Sequence, residues 1–309
     1  MAENGLPVKN ETGFKGYVPQ KYRKNNEEKK PLWATFIAFL ITLGFIGIQI
    51  LAMLPFMFGG MLKAASDYKE SASDVTQEEV MDVMMRSVNS VDLTVLATAI
   101  SLVVAVIWYK YVYCRYYKIN DFKVTCKRII TPFTVCGIIM GAVFLFYVCD
   151  FLVVLIGVIS PDTLDNYEKL IEKSNFNTLD WKIIICTVIL APINEECIMR
   201  GIILKRLMKD MRPSYAILIS SVLFGLFHMN IVQGIYAAAL GFFMGYLAYK
   251  YHSILASIIF HAVFNALNYV LLLLPETIVE NRVISIFVPV VAGVLWFFLE
   301  CRRKSQKKV

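Results

Sequence analysis

The stretch Asn194-Glu195-Glu196-Cys197-Ile198-Met199-Arg200 sets two adjacent carboxylates, and a guanidinium one helical turn on, inside an apolar run. Residues 181–190 before it and 201–204 after it read as the two halves of a lipid-spanning helix. An ionised side chain at the centre of a bilayer costs roughly 2.5–3.5 kcal/mol or more, so such groups persist only with partners or a task. The rest of the chain has to supply one or the other.

Working outward, the surroundings are apolar throughout. Of 309 residues, 58% are hydrophobic, and the mean hydropathy is +0.60. Repeated apolar runs of about 20 residues predict an all-α, polytopic integral membrane protein with about eight transmembrane helices. The expected spans are 32–58, 91–113, 132–160, 181–207, 214–230, 233–250, 253–274 and 283–299. Residues 1–30 are polar and read as a disordered cytoplasmic tail rather than a secretory leader. The predicted organisation is that tail, a transmembrane domain over 31–301 with its chemistry at about 180–274, and a basic cytoplasmic tail at 302–309.

Net charge is +7, and its placement sets orientation rather than pointing to nucleic acid. Basic residues gather in the tail, at 110–128, at 205–212 and at the C-terminus; acidic ones gather at 61–90 and 161–180. Both termini are therefore expected on the cytoplasmic side of a cell membrane. The seven cysteines form no CxxC pair, which argues against a disulfide or zinc-finger framework. Gly241 and Gly245 form a small-xxx-small pattern suited to close helix contact.

Of three histidines, His252 sits beside Lys250 at an expected membrane boundary. His228 and His261 lie within apolar spans, in Phe224-Gly225-Leu226-Phe227-His228 and His261-Ala262-Val263-Phe264-Asn265. A lone buried histidine is more often a packing residue than a catalyst, and a polar interhelical network is the bland reading of each pair. Depth favours a shared site. At about 1.5 Å rise per residue, Glu195 lies roughly 18 Å, His228 roughly 21 Å, Asn265 roughly 18 Å and His261 roughly 12 Å from the cytoplasmic helix ends. All four fall in the middle of a hydrocarbon layer of about 30 Å.

Such a set has a coherent chemistry. A glutamate beside another carboxylate in a low dielectric is suited to act as a general base. With an imidazole it could take a proton from water attacking a carbonyl, while a second imidazole and an amide donate to the oxyanion. Arg200 can pair with Glu196 at i,i+4 and offset repulsion between the carboxylates.

Glu195-Glu196-xxx-Arg200, Phe224-xxx-His228 and His261-xxx-Asn265, in this order on successive apolar spans, resemble the three motifs of the CAAX-protease and bacteriocin-processing (CPBP, or Abi) family, whose relatives include the Ras-converting CAAX endopeptidases. The resemblance covers residues 180–270 and implies a CAAX-protease/Abi-like fold and an intramembrane glutamic endopeptidase. It further implies that Glu195 and His228 activate water, that His261 and Asn265 form the oxyanion hole, and that Glu196, Arg200 and Phe224 are supporting motif residues. Ser257-Ile258 stands before His261 where many members carry proline.

The implied partner is a membrane-embedded or lipid-anchored peptide or protein substrate in the bilayer, with no nucleic acid. The Lys/Ile/Asn/Tyr-rich composition points to bacterial peptide processing or bacteriocin self-immunity. A non-catalytic membrane regulator that keeps the motifs is the main alternative, and a proton-coupled transporter the lesser one. No cofactor is expected. A zinc-dependent version would use Glu195, His228 and His261, but the amide Asn265 suits oxyanion donation better than metal ligation.

Overall fold

The computed structural model describes residues 30–70, 91–110, 129–174, 178–279 and 281–306. The expectations for residues 1–29, for most of both charged loops at 61–90 and 110–128, and for the last three residues lie outside that set. The described residues are helical, with α1 Pro31–Glu70, α2 Val91–Trp108, α3 Pro132–Ile159 and α4 Pro161–Ser174 in the first half. A composite helix α5 follows, assembled from Trp181–Ile185, Cys186–Leu190, Ala191–Glu196, Cys197–Ile203 and Leu204–Asp210. Then come α6 Pro213–Phe227, α7 Ile231–Tyr251, α8 Ile254–Leu273, the single turn α9 Glu276–Val279, and α10 Arg282–Gln306.

Among the described residues, six helices are long and apolar enough to cross a membrane: Pro31–Gly60, Val91–Trp108, Pro132–Ile159, Ile231–Tyr251, Ile254–Leu273 and Arg282–Leu299. The chain is a multi-pass membrane protein. The remaining two expected spans correspond to α5, which is interrupted by π-helical turns, and to α6, which is apolar but short. Both carry motif residues.

Burial is inverted relative to a water-soluble domain. Leu51, Phe58, Val158 and Phe297 point outward, whereas Glu196, Arg200, Asn194 and His261 are buried. Apolar side chains facing lipid need no cover, while backbone and side-chain polar groups must find partners inside. Arg200 heads the largest fully buried side chains.

Two boundaries differ from the sequence reading. The first helix continues past the apolar run to Glu70, its polar end extending a helix already nucleated. The acidic segment after α3 is not simply a loop, since Pro161–Ser174 forms α4. Ser160 starts it: its carbonyl accepts from the Thr163 and Leu164 N–H groups, its hydroxyl pairs with Thr163 Oγ1 at 2.7 Å, and Pro161 follows where its missing N–H costs nothing. Tyr167 on α4 meets Tyr236 on α7 through their hydroxyls at 3.1 Å.

The core pairing is α6 against α7, with α8 against α7, α3 and α5, and α2 against α1 and α5. The α6–α7 reversal is tight. His228 caps α6, Met229 takes a left-handed φ of 52°, and Asn230 caps α7 by accepting from Gln233 N at 3.1 Å. His228 thus stands in a turn at the helix end rather than within a span. His252 plays the corresponding role at the end of α7, in the left-handed conformation that terminates the helix.

Candidate active site

Helix α5 carries the glutamate pair between two π-helical turns, Cys186–Leu190 and Cys197–Ile203. Such widened turns are rare and recur at functional sites. Pro192 lies between them, buried, two residues ahead of Asn194. Proline removes one backbone donor from the helix, so a local change of hydrogen-bond register there has a covalent cause.

Glu196 and Arg200 are one turn apart and both side chains are wholly buried. Arg200 Nη1 donates to Glu196 Oε1 at 2.8 Å, and Nη2 donates to the Gly241 carbonyl at 2.9 Å. The guanidinium also lies over the Phe224 ring, 4.6 Å from its centroid, a favourable placement in a dry interior. One arginine therefore ties α5 to α6 and α7.

His261 reaches the glutamates from α8. Its Nδ1 lies 3.2 Å from Glu196 Oε1, and its Nε2 lies 3.7 Å from Glu195 Oε2. With a carboxylate as acceptor, Nδ1 carries a proton, which leaves Nε2 turned toward Glu195. Glu195 is 13% exposed, against none for Glu196, and its Oε2 has no hydrogen-bond partner. Two carboxylates against one arginine leave one negative charge; a single further proton within the Glu195–His261 pair makes the cluster neutral, as a low dielectric favours.

The two remaining motif residues sit differently. His228 is packed against Phe224, ring centroids 5.0 Å apart, and the same Phe224 ring lies edge-on to His261 at 5.9 Å. Phe224 thus touches both imidazoles. Asn265 Nδ2 donates to the Thr187 carbonyl of α5 at 2.8 Å. Among the described residues, no three or more His, Cys, Asp or Glu side chains are grouped so as to hold a metal ion.

Two participants carry no signal in the sequence. Ser101 on α2 meets the carboxamide of buried Asn194, with Nδ2 donating to Ser101 Oγ at 3.1 Å, and it looks like any serine in an apolar helix. Thr187 contributes a backbone carbonyl, which no side-chain motif can reveal.

Residues 177–267 match the family model described as Type II CAAX prenyl endopeptidase Rce1-like. Over these residues the chain is similar to that family. No curated protein and no solved structure matches the chain. The matched segment begins just ahead of α5 and ends within α8, so it takes in the glutamate pair, Arg200, Phe224, His228, His261 and Asn265.

Proposed function

We propose that the chain is an intramembrane endopeptidase that hydrolyses a peptide bond of a membrane-associated peptide or protein with an activated water. The observation that carries this reading is the contrast within the glutamate pair. Each glutamate keeps an Oε2 without a hydrogen bond, but Glu196 is wholly buried with its Oε1 held by both Arg200 and His261, whereas Glu195 is 13% exposed and lies beside the His261 ring. A carboxylate left unsatisfied in an apolar interior is available to a water, and general-base assistance contributes about 10²–10⁴-fold to such a reaction.

In this reading Glu195 takes the proton from the attacking water and His228 assists at the end of α6. His261 and Asn265 offer N–H groups to the carbonyl oxygen as it becomes negative. Glu196 and Arg200 hold His261, and Phe224 sets the spacing of the two imidazoles. The proton taken by Glu195 passes to the leaving amine, so the site returns to its starting charge. No resident metal is needed. The substrate approaches from the cytoplasmic side of a cell membrane in which both termini are cytoplasmic. Prenylated CAAX peptides and apolar bacterial leader or bacteriocin-type peptides are the substrate classes to compare.

The test uses the full chain in liposomes with three internally quenched probes: a farnesylated CAAX peptide, the same peptide without the lipid, and an apolar leader peptide. Wild type should cleave at least one, and Glu195→Ala and His228→Ala should each abolish that cleavage. Cleavage surviving both substitutions would sink the assignment. Activity lost to a chelator and restored by zinc would transfer the reaction to a metal site.

A further inference from the structure

In a π-helical turn each backbone N–H donates to the carbonyl five residues back instead of four. Ala191 does so, its N–H going to Cys186 O. The next donor in that register, the one that would reach the Thr187 carbonyl, belongs to residue 192, a proline without an N–H. The Thr187 carbonyl is thus stripped of both helical donors: Ala191 is engaged one residue earlier, and Pro192 has nothing to give. Asn265 Nδ2, on α8, fills the vacancy at 2.8 Å.

Thr187 grips α8 a second time. Its hydroxyl donates to Ile183 O at 2.9 Å and lies 2.7 Å from Tyr269 OH. A hydroxyl has one proton to give; with that of Thr187 committed to Ile183, Tyr269 is the donor. Asn265 and Tyr269 are four residues apart and share one face of α8, so a single threonine fixes that face at two points.

We propose that Pro192 is a positioning residue for Asn265: by keeping the Thr187 carbonyl open, it orients the Asn265 amide in the site. The amide nitrogen carries two hydrogens. The bond to Thr187 uses one, fixes which end of the carboxamide is nitrogen, and leaves the second N–H for a substrate oxygen. Tyr269 keeps α8 in register so that the bond to Thr187 is always within reach. The catalytic half of this inference rests on the endopeptidase reading, whereas the Pro192–Thr187–Asn265 link does not.

The experiment compares wild type, Pro192→Ala, Asn265→Ala and the double variant by two readouts: thermal unfolding of the full chain in detergent, and hydrolysis of the farnesylated CAAX peptide. Restoring an N–H at position 192 should let the helix reclaim the Thr187 carbonyl. Asn265→Ala should therefore lower Tm clearly in the wild-type background and by less than half as much in the Pro192→Ala background. Pro192→Ala should lower kcat about tenfold to a hundredfold with KM little changed, the mark of a misplaced group rather than lost binding. Added to Asn265→Ala, it should lower kcat no further. Additive Tm changes overturn the link, and coupled Tm changes with additive kcat losses overturn the positioning role. If wild type hydrolyses nothing while the Tm changes are coupled, the endopeptidase reading fails with the catalytic half of the inference, and the link stands. If Pro192→Ala does not accumulate as folded protein, Asn265→Leu decides: it has the size of asparagine without its donor, so a wild-type Tm overturns the link and a lowered one supports it.

Discussion

Arg200 donates to Glu196 Oε1 at 2.8 Å, with both side chains wholly buried. A pair of this kind is weak evidence of net stabilisation, because desolvation offsets most of the attraction, but removing one member leaves an uncompensated charge. Arg200→Met should therefore cost about 3–5 kcal/mol. Glu196→Gln combined with Arg200→Met should recover a substantial part of that loss. Thermal unfolding of the four proteins in one detergent gives the cycle; a double variant no more stable than Arg200→Met would show that the arginine acts mainly through Gly241 and Phe224.

The two glutamates should separate cleanly by experiment. Glu195 Oε2 has no hydrogen bond to lose, so Glu195→Gln should leave Tm unchanged or raised while lowering kcat by about 10²–10⁴. Glu196→Gln strands the arginine, so its main signature should be a lowered Tm. The reverse pattern, a stable Glu196→Gln without activity and an unstable but active Glu195→Gln, would exchange their roles.

What the sequence could reveal follows the physics of each feature. Helical spans are legible because lipid demands long apolar runs, and the Glu196–Arg200 contact is legible because i,i+4 neighbours share a helix face. Helix α4 was hidden by its charge density: an acidic, amphipathic segment outside the apolar runs reads as loop until Ser160 and Pro161 are recognised as its start. Depth counting treated His228 as one of a set at the centre of a span. The left-handed Met229 and the Asn230 cap end the helix there instead, and the ring rests on Phe224. The anchoring of Asn265 was out of reach for a different reason. It depends on a change of backbone register at Pro192 and on a main-chain acceptor, neither of which leaves a side-chain pattern.

Ser101 ties α2 to the segment bearing the glutamates through Asn194, a residue almost without exposure. Ser101→Ala would leave the carboxamide short of a partner, at a cost of about 1–3 kcal/mol. The damage should be to stability first. A Tm loss with a proportionate loss of kcat at low temperature would mean that Asn194 also sets the pitch of the helix at Glu195. Asn194→Leu together with Ser101→Ala should be milder than Ser101→Ala alone, since no polar group then remains buried and unpaired.

Gly241 is the point where α6, α7 and the arginine meet. A Cβ there would lie 3.1 Å from Phe224 Cδ1, 3.2 Å from Arg200 Nη2 and 3.2 Å from Ser221 Cα. The last is backbone and cannot swing aside, while the second belongs to the guanidinium that donates to the Gly241 carbonyl itself. Gly241→Ala should therefore push α7 off α6 and destabilise by about 1–3 kcal/mol, the usual cost of overpacking. Activity should fall with it, because Arg200 and Phe224, two of the three neighbours, hold Glu196 and both imidazoles in place. Gly44→Ala is the control: nothing lies within 4 Å of that position, and alanine is the better helix former by about 1 kcal/mol. It should be neutral or slightly stabilising with full activity. Equal behaviour of the two variants, by Tm and by peptide hydrolysis, would show that the close approach at Gly241 is not what holds the arginine.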